Sequence, residues 1–315
     1  MSDKPNGRLS RRGFMHRGAA GLAFGAFAAQ GNIARAAADD NAGQPGTAEQ
    51  GEVYLEPARN VPIVDHSDVV VCGGGPAGIS AAITAARAGA SVRLIEVNGC
   101  LGGIWTAGLL GCILDWQNKL KGKGGDSPCV DFRLPGDGAS ARFEPKLNEE
   151  ILNTLDERGA RRHNRLYDPE AMKLLLEELC VGAGIKLQLH TGCAAVHRED
   201  GRIKLVVTES KSGRQAFGGK VFIDATGDGD LAAQSGCNYD FGRPGDGEFQ
   251  PMSFIVLLSG IRFEEIKPYV SGIPGEVWAE PKGRLADLIQ KTTGHGPSYA
   301  SATLFSLYED LFCLM

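Results

Sequence analysis

The sequence predicts an α/β protein, a Rossmann-like doubly wound sheet that carries a β-meander. Three observations predict it. A short β-branched run at 69–72 is followed by glycines, the Ala-rich stretch 79–88 and a second apolar run at 91–96. That strand–turn–helix–strand unit is about 30 residues long, the size of a βαβ unit. Asp168 and Pro169 then open a helix whose Met172, Leu175, Leu176 and Leu179 fall at i, i+3, i+4 and i+7. From 185 to 223 apolar runs alternate with polar turns, as strands do.

Taken in order, residues 1–38 have the layout of a removable twin-arginine export signal. Arg11 and Arg12 are followed by Phe14 and Met15, an apolar run over 19–29, and small residues that offer cleavage sites at 34–36 or 36–38. The apolar run is far shorter than the ~20 residues that span a bilayer, so no membrane anchor is expected. Removing this segment leaves 27 basic against 37 acidic residues, a net charge of −10. A body that acidic argues against nucleic acid or an anionic membrane as partner.

Residues 39–64 are polar, bear Gly and Pro, lack a period and read as a linker. After the first unit, a short helical pattern spans 148–157, and Gly182 and Gly184 close the helix that Asp168 opens. Runs at 193–197, 203–208 and 216–223 form a three-stranded meander feeding back into a final strand at 220–224. A further strand is expected within 253–261, whereas 263–315 show no clear pattern. Of the eight cysteines, Cys72 lies in an apolar strand and Cys180 near a helix end, so mostly free thiols are expected.

Gly73, Gly75 and Gly78 form G-x-G-x-x-G between a strand and a helix. The first glycine permits the tight turn, the second lets a pyrophosphate approach the backbone, and the third brings helix and strand together. Phosphates then meet a helix N-terminus, where unpaired N–H groups and the dipole favour anions. Glu96 ends the second strand, where a carboxylate accepts both hydroxyls of an adenosine ribose and repels a phosphate. NADP is disfavoured, and both NAD and FAD remain.

Two further segments narrow the choice. LGGIWTAG (101–108) supplies Gly102 and Gly103, and FIDATGDGDLA (222–232) supplies Thr226, Gly227 and Asp228. With these motifs, and with QPMSFIVLL and YDPEAMKLLLEELCVGAGIKLQLHTGC beside them, residues 66–260 resemble the FAD-dependent oxidoreductases of the glutathione-reductase-like flavoprotein superfamily, most closely an exported bacterial subgroup. The resemblance implies FAD as cofactor. It places Gly73, Gly75, Pro76, Ala77 and Gly78 around the pyrophosphate and Glu96 at the adenosine ribose. Gly102 and Gly103 would run beside the ribityl chain and flavin ring, and the backbone of Cys193 would meet adenine. Thr226, Gly227 and Asp228 would close over the pyrophosphate and ribityl region. It also implies hydride exchange between flavin and a small organic substrate, with a separate electron acceptor. Export by the twin-arginine translocase, to the periplasm or beyond, suits such a chain, because a noncovalent cofactor loads only onto a folded protein.

No residue is assigned as catalytic. A disulfide reductase would carry C-x-x-x-x-C soon after the double glycine. Cys100 precedes that glycine pair and Cys112 lies far beyond, so both read as small core residues. Trp105 and Trp116 suit either a flavin wall or core packing. Asp115 reads as a loop carboxylate, and His163 and His190 as ordinary histidines. No ligands stand at metal spacing around Asp228 and Asp230, so no metal is expected.

The expected organisation is an export signal (1–38), a linker (39–64), an FAD-binding domain in two parts (65–130 and 166–236), an insertion or cap segment (131–165) and an incomplete substrate-cap region (237–315). Relatives of this kind run on well past the length of this chain, and SLYEDLFCLM does not resemble their returning strand and helix. A C-terminally truncated chain is therefore expected, with a flavin site open on one side and an inactive remnant as the alternative. A third reading is an NAD-binding dehydrogenase or nucleotide-binding module, against which the double glycine and A-T-G-D segments argue.

Overall fold

The computed structural model describes residues 54–113, 146–161, 166–250, 252–271, 279–296, 302–308 and 310–315, with the backbone of two short strands at 132–133 and 140–141. The export signal, most of the linker, Asp115, Trp116 and His163 lie outside these residues.

The centre is a parallel sheet. β1 (Ile63–Cys72) lies between β2 (Val92–Ile95) and β8 (Gly213–Asp224), and β5 (Lys186–Gln188) adds beyond β2, all parallel. β6 (Thr191–Glu199) and β7 (Arg202–Ser210) extend the other side as antiparallel partners, giving the order β5-β2-β1-β8-β7-β6. The fold is thus α/β with a Rossmann-like parallel sheet and a meander. β8 serves both parts. Its first half pairs with β7 and it pairs with β1 along its length, so the third meander strand and the final strand are one element. Full-length pairing with β8 also starts β1 at Ile63, inside the stretch read as linker.

Both faces of this sheet are covered, which explains why its strands read as continuous apolar runs. Val71 and Leu94 face α1 (Pro76–Arg87), α2 (Lys146–Glu157) and α3 (Pro169–Gly182), packing with Ile79, Ile83, Ile151, Leu155, Met172, Leu175 and Leu176. Val70, Cys72 and Ile95 point to the opposite face, against Val206, Phe217 and Leu231. Each fully buried Ile or Leu contributes roughly 1.5–3 kcal/mol.

Local chemistry fixes the element ends. Asp168 caps α3, its Oδ1 accepting from the amides of Glu170 (2.8 Å) and Ala171 (3.3 Å). Asp200 and Gly201 join β6 to β7 with φ of 49° and 74°, the positive pair that a two-residue hairpin turn favours.

Of the last segments, β9 (Val256–Ser259) is the strand expected within 253–261, whereas those after it form structure that no periodicity announced. α4 (Asp230–Gln234), β9, α5 (Phe263–Ile266), α6 (Ala279–Thr293), β10 (Leu304–Ser306) and β11 (Leu311–Leu314) follow, and the three strands make an antiparallel sheet ordered β10-β11-β9. Phe305, Leu307 and Cys313 pack on Leu110, Cys112 and Leu166, and the Tyr308 hydroxyl donates to Oδ1 of Asp168 at 2.6 Å. The stretch 263–315, which shows no clear pattern in the sequence, thus carries regular elements, and its last residues bond to partners about 140 to 200 residues away. Among the described residues no helix is long and apolar enough to cross a membrane.

Candidate cofactor site

Three turns far apart in sequence meet at the carboxyl ends of β1, β2 and β8. The first is the glycine turn between β1 and α1. Gly73 has φ of +101°, and a Cβ there would stand 2.1 Å from the carbonyl oxygen of Ala225. A Cβ on Gly78 would stand 1.8 Å from the Gly73 oxygen. These two glycines are required by the protein's own packing. Gly75 differs. Its φ is −74° and its ψ is −174°, ordinary extended backbone, and nothing lies within 4 Å of where its Cβ would be. Pro76 takes the first position of α1, a place where a missing N–H costs nothing. The amides of Gly75, Ala77 and Gly78 have no hydrogen-bond partner among the described residues.

The second turn follows β2. Glu96 is 4% exposed, yet its carboxylate is well supplied with donors. Oε2 accepts from the Gly74 amide at 2.5 Å, and Oε1 from the amide (2.7 Å) and side chain (2.8 Å) of Asn98. The Gly74 carbonyl in turn accepts from the Gly102 amide at 2.8 Å, so one residue joins Glu96 to the double glycine. Gly102 is left-handed at φ +109°, and a Cβ on Gly103 would come within 3.1 Å of the Gly75 Cα. Both glycines therefore lie directly against the first turn.

The third turn follows β8. Ala225 donates its amide to the Cys72 carbonyl at 2.7 Å, and Gly227 and Gly229 have φ of +94° and +75° with open space around both. The amides of Gly227 and Asp228 have no partner among the described residues. Thr226 is already engaged: its hydroxyl donates to Asp224 (2.8 Å) and accepts from the Asp230 amide (2.9 Å).

Cys193, on β6, is half-buried in the core cluster that holds Cys72. Its carbonyl accepts from the Gln234 side chain at 3.4 Å. The hydrogen bond between the two thiols, with burial, pushes the Cys72 thiol far up, so it stays protonated.

Two residues that the sequence reading passed over hold this site together. Asn98 anchors Glu96, and Asp224 anchors the third turn. An acid at a strand end two residues before Thr226, an Asx-turn spacing, was the available signal for Asp224. The other singled-out residues lie elsewhere. Trp105 packs against the first core cluster, Cys112 is core, Cys100 is half-buried, and exposed His190 lies against Gly99. Among the described residues no cluster of His, Cys, Asp or Glu is set to hold a metal.

This geometry fits an extended dinucleotide. A side-chain-free backbone faces open space at Gly75, Gly227 and Gly229, and unpartnered amides stand on two adjoining turns, which suits a diphosphate.

Solved structures similar to this chain include a triple mutant of the flavin-dependent brominase Bmp2 (14% identity, TM-score 0.46, covering 79% of this chain and 56% of that one). A geranylgeranyl bacteriochlorophyll reductase-like protein from Thermoplasma acidophilum is similar at 13% identity and TM-score 0.41, with the same coverages. A myxobacterial chondrochloren halogenase is similar at 16% identity and TM-score 0.36, over 52% of this chain and 38% of that one. The chain thus spans between 38% and 56% of the length of these three proteins. A comparison with curated proteins gave no match. The family described as FAD dependent oxidoreductase matches residues 68–305, well over half of the sequence. On that match the chain belongs to the FAD-dependent oxidoreductase family, and its cofactor is FAD.

Proposed function

We propose that this protein is an exported oxidoreductase that exchanges a hydride between a small organic substrate and FAD and passes electrons to a separate acceptor. The observation that carries the reading is the contact of three sequence-distant turns, seen where Ala225 meets Gly73 and Gly103 meets Gly75. When bound, flavin supplies the hydride chemistry, and the protein binds and positions it.

In this reading Gly75 leaves room for the pyrophosphate, and the amides of Ala77 and Gly78 at the start of the 12-residue helix α1 offer it donors and a favourable dipole. Glu96 has used three of its roughly four acceptor directions on Gly74 and Asn98, and turns the remaining one to the adenosine ribose. The backbone of Cys193 borders the adenine. Gly102 and Gly103 let the ribityl chain pass close, and Gly227 and Asp228 close over it from the other side. Export by the twin-arginine translocase to the periplasm or beyond is supported by Arg11 and Arg12 and by the need to load a noncovalent cofactor first. The acidic body supports a partner list without nucleic acid.

Protein expressed with its folded-export route intact should be yellow, bleach with dithionite and recover in air. The Arg11→Lys, Arg12→Lys double variant should remain in the cytoplasm. Colourless protein, or protein that retains NAD in place of flavin, would sink the reading. A flavin-binding protein without turnover is the second reading, favoured by the exposure of Phe241, Phe249, Met252 and Phe254. Yellow protein whose flavin no substrate panel reduces would support it.

A further inference from the structure

We infer that Asp224 is a positioning residue that shapes the turn at 226–229 before any cofactor arrives. The inference rests on the reading that the dinucleotide lies over the glycine turn, and it concerns a residue to which that reading gives no cofactor contact.

Asp224 is the last residue of β8 and stands in register with Cys72, the residue before the glycine turn. Its Oδ1 accepts from the Thr226 amide (3.0 Å) and hydroxyl (2.8 Å), and its Oδ2 from the Ala232 amide (2.8 Å). One carboxylate thus grips the turn from both of its ends. The Thr226 hydroxyl, oriented by Asp224, accepts from the Asp230 amide at 2.9 Å and closes the circuit. Burial works against the ionised form, but the Ala232 and Thr226 amides and the Thr226 hydroxyl outweigh it and hold the carboxyl below its ordinary range.

The arrangement separates two sets of donors. The amides of Thr226, Asp230 and Ala232 are consumed inside the loop, whereas those of Gly227 and Asp228 have no partner among the described residues. α4 spans five residues, too short to persist by helix propensity alone. Without Asp224 only the bond between Thr226 and Asp230 ties the ends of the turn, and the free amides lose their fixed direction. The same loop carries Ala225, whose carbonyl seats against Gly73, so loosening it also loosens the contact between the two phosphate-facing turns. A conservative Asn cannot replace Asp224. Its carboxamide oxygen keeps one end of the turn, while its NH2 faces a donor at the other.

The test uses the full chain, stripped of flavin and titrated separately with FAD and with AMP, in wild type, Asp224→Asn and Thr226→Val. Asp224→Asn should weaken FAD binding about tenfold or more, the effect of losing a charge-assisted hydrogen bond. AMP affinity, which reads the Glu96 end, should stay within about twofold. Thr226→Val, which keeps the Thr226 amide bond, should fall between. In ligand-free protein, amide exchange over 226–232 should quicken in Asp224→Asn while β1 exchange is unchanged. Equal exchange, unchanged FAD affinity, or a parallel fall in AMP affinity would overturn the assignment. Wild-type protein that binds no FAD defeats the proposed function instead, and the exchange comparison still decides the role of Asp224.

Discussion

The amide of Gly74 donates to Oε2 of Glu96 at 2.5 Å, across 22 residues of sequence. The acid that follows β2 therefore holds the middle of the glycine turn in place, and the carbonyl of the same residue holds Gly102. A single residue, Gly74, couples two of the three cofactor turns.

Glu96→Gln should be costly despite its unchanged shape. One oxygen becomes an NH2 group, which faces either the Gly74 amide or the donors of Asn98. Leaving a buried donor unmatched costs about 1–3 kcal/mol, so urea unfolding should show a loss of that order. FAD affinity should fall as well. Wild-type stability in this variant would mean that the bond does not secure the turn.

Gly75 and Gly78 should respond oppositely to Ala. At Gly75 the dihedrals are ordinary and the space is open, so the ligand-free fold should keep its stability while FAD affinity falls about tenfold or more as the methyl meets the pyrophosphate. At Gly78 the methyl would run into the Gly73 oxygen, and the fold itself should lose roughly 1–3 kcal/mol or more. Melting curves with and without FAD separate the two outcomes.

Acid should remove one identifiable contribution to stability. Asp65 on β1 accepts from Arg93 at 2.7 Å and Lys186 at 2.7 Å. Burial opposes its ionisation, but those bonds prevail and hold the carboxyl at about 2. A carboxyl depressed on folding stabilises fully above its unfolded value near 4, and that stabilisation drains away as pH falls toward 2. Asp65→Asn should cost roughly 2 kcal/mol at neutral pH, and the difference from wild type should narrow between about pH 4 and 2. A difference independent of pH would exclude this origin.

Tyr308→Phe should loosen the last hairpin. The hydroxyl donates to Asp168, which also caps α3, and losing a partly exposed hydrogen bond of this kind costs about 1 kcal/mol. Amide exchange over 304–314 should quicken while β1 is unaffected. Uniform acceleration across the protein would point instead to global destabilisation.

Much of the fold was legible because it is written locally. Asp168 and Pro169 announced α3, and the β-branched run Val69–Cys72 announced β1. The glycine spacing announced the turn between β1 and α1, since tight turns and helix starts depend on adjacent residues. The candidate site was legible for the same reason, as each of its turns is a short motif. The run 302–315 was not, because Phe305 and Leu307 are buried in a cluster with Leu110, Cys112 and Leu166, far away in the chain.

By itself the sequence determined the strands, helices and glycine turns around the cofactor site, because period and turn chemistry act between neighbouring residues. Only the tertiary structure decided that β8 is both meander and central strand and that Ala225 seats against Gly73. Those outcomes depend on which buried surfaces and donors meet across more than a hundred residues, and no local pattern encodes that meeting.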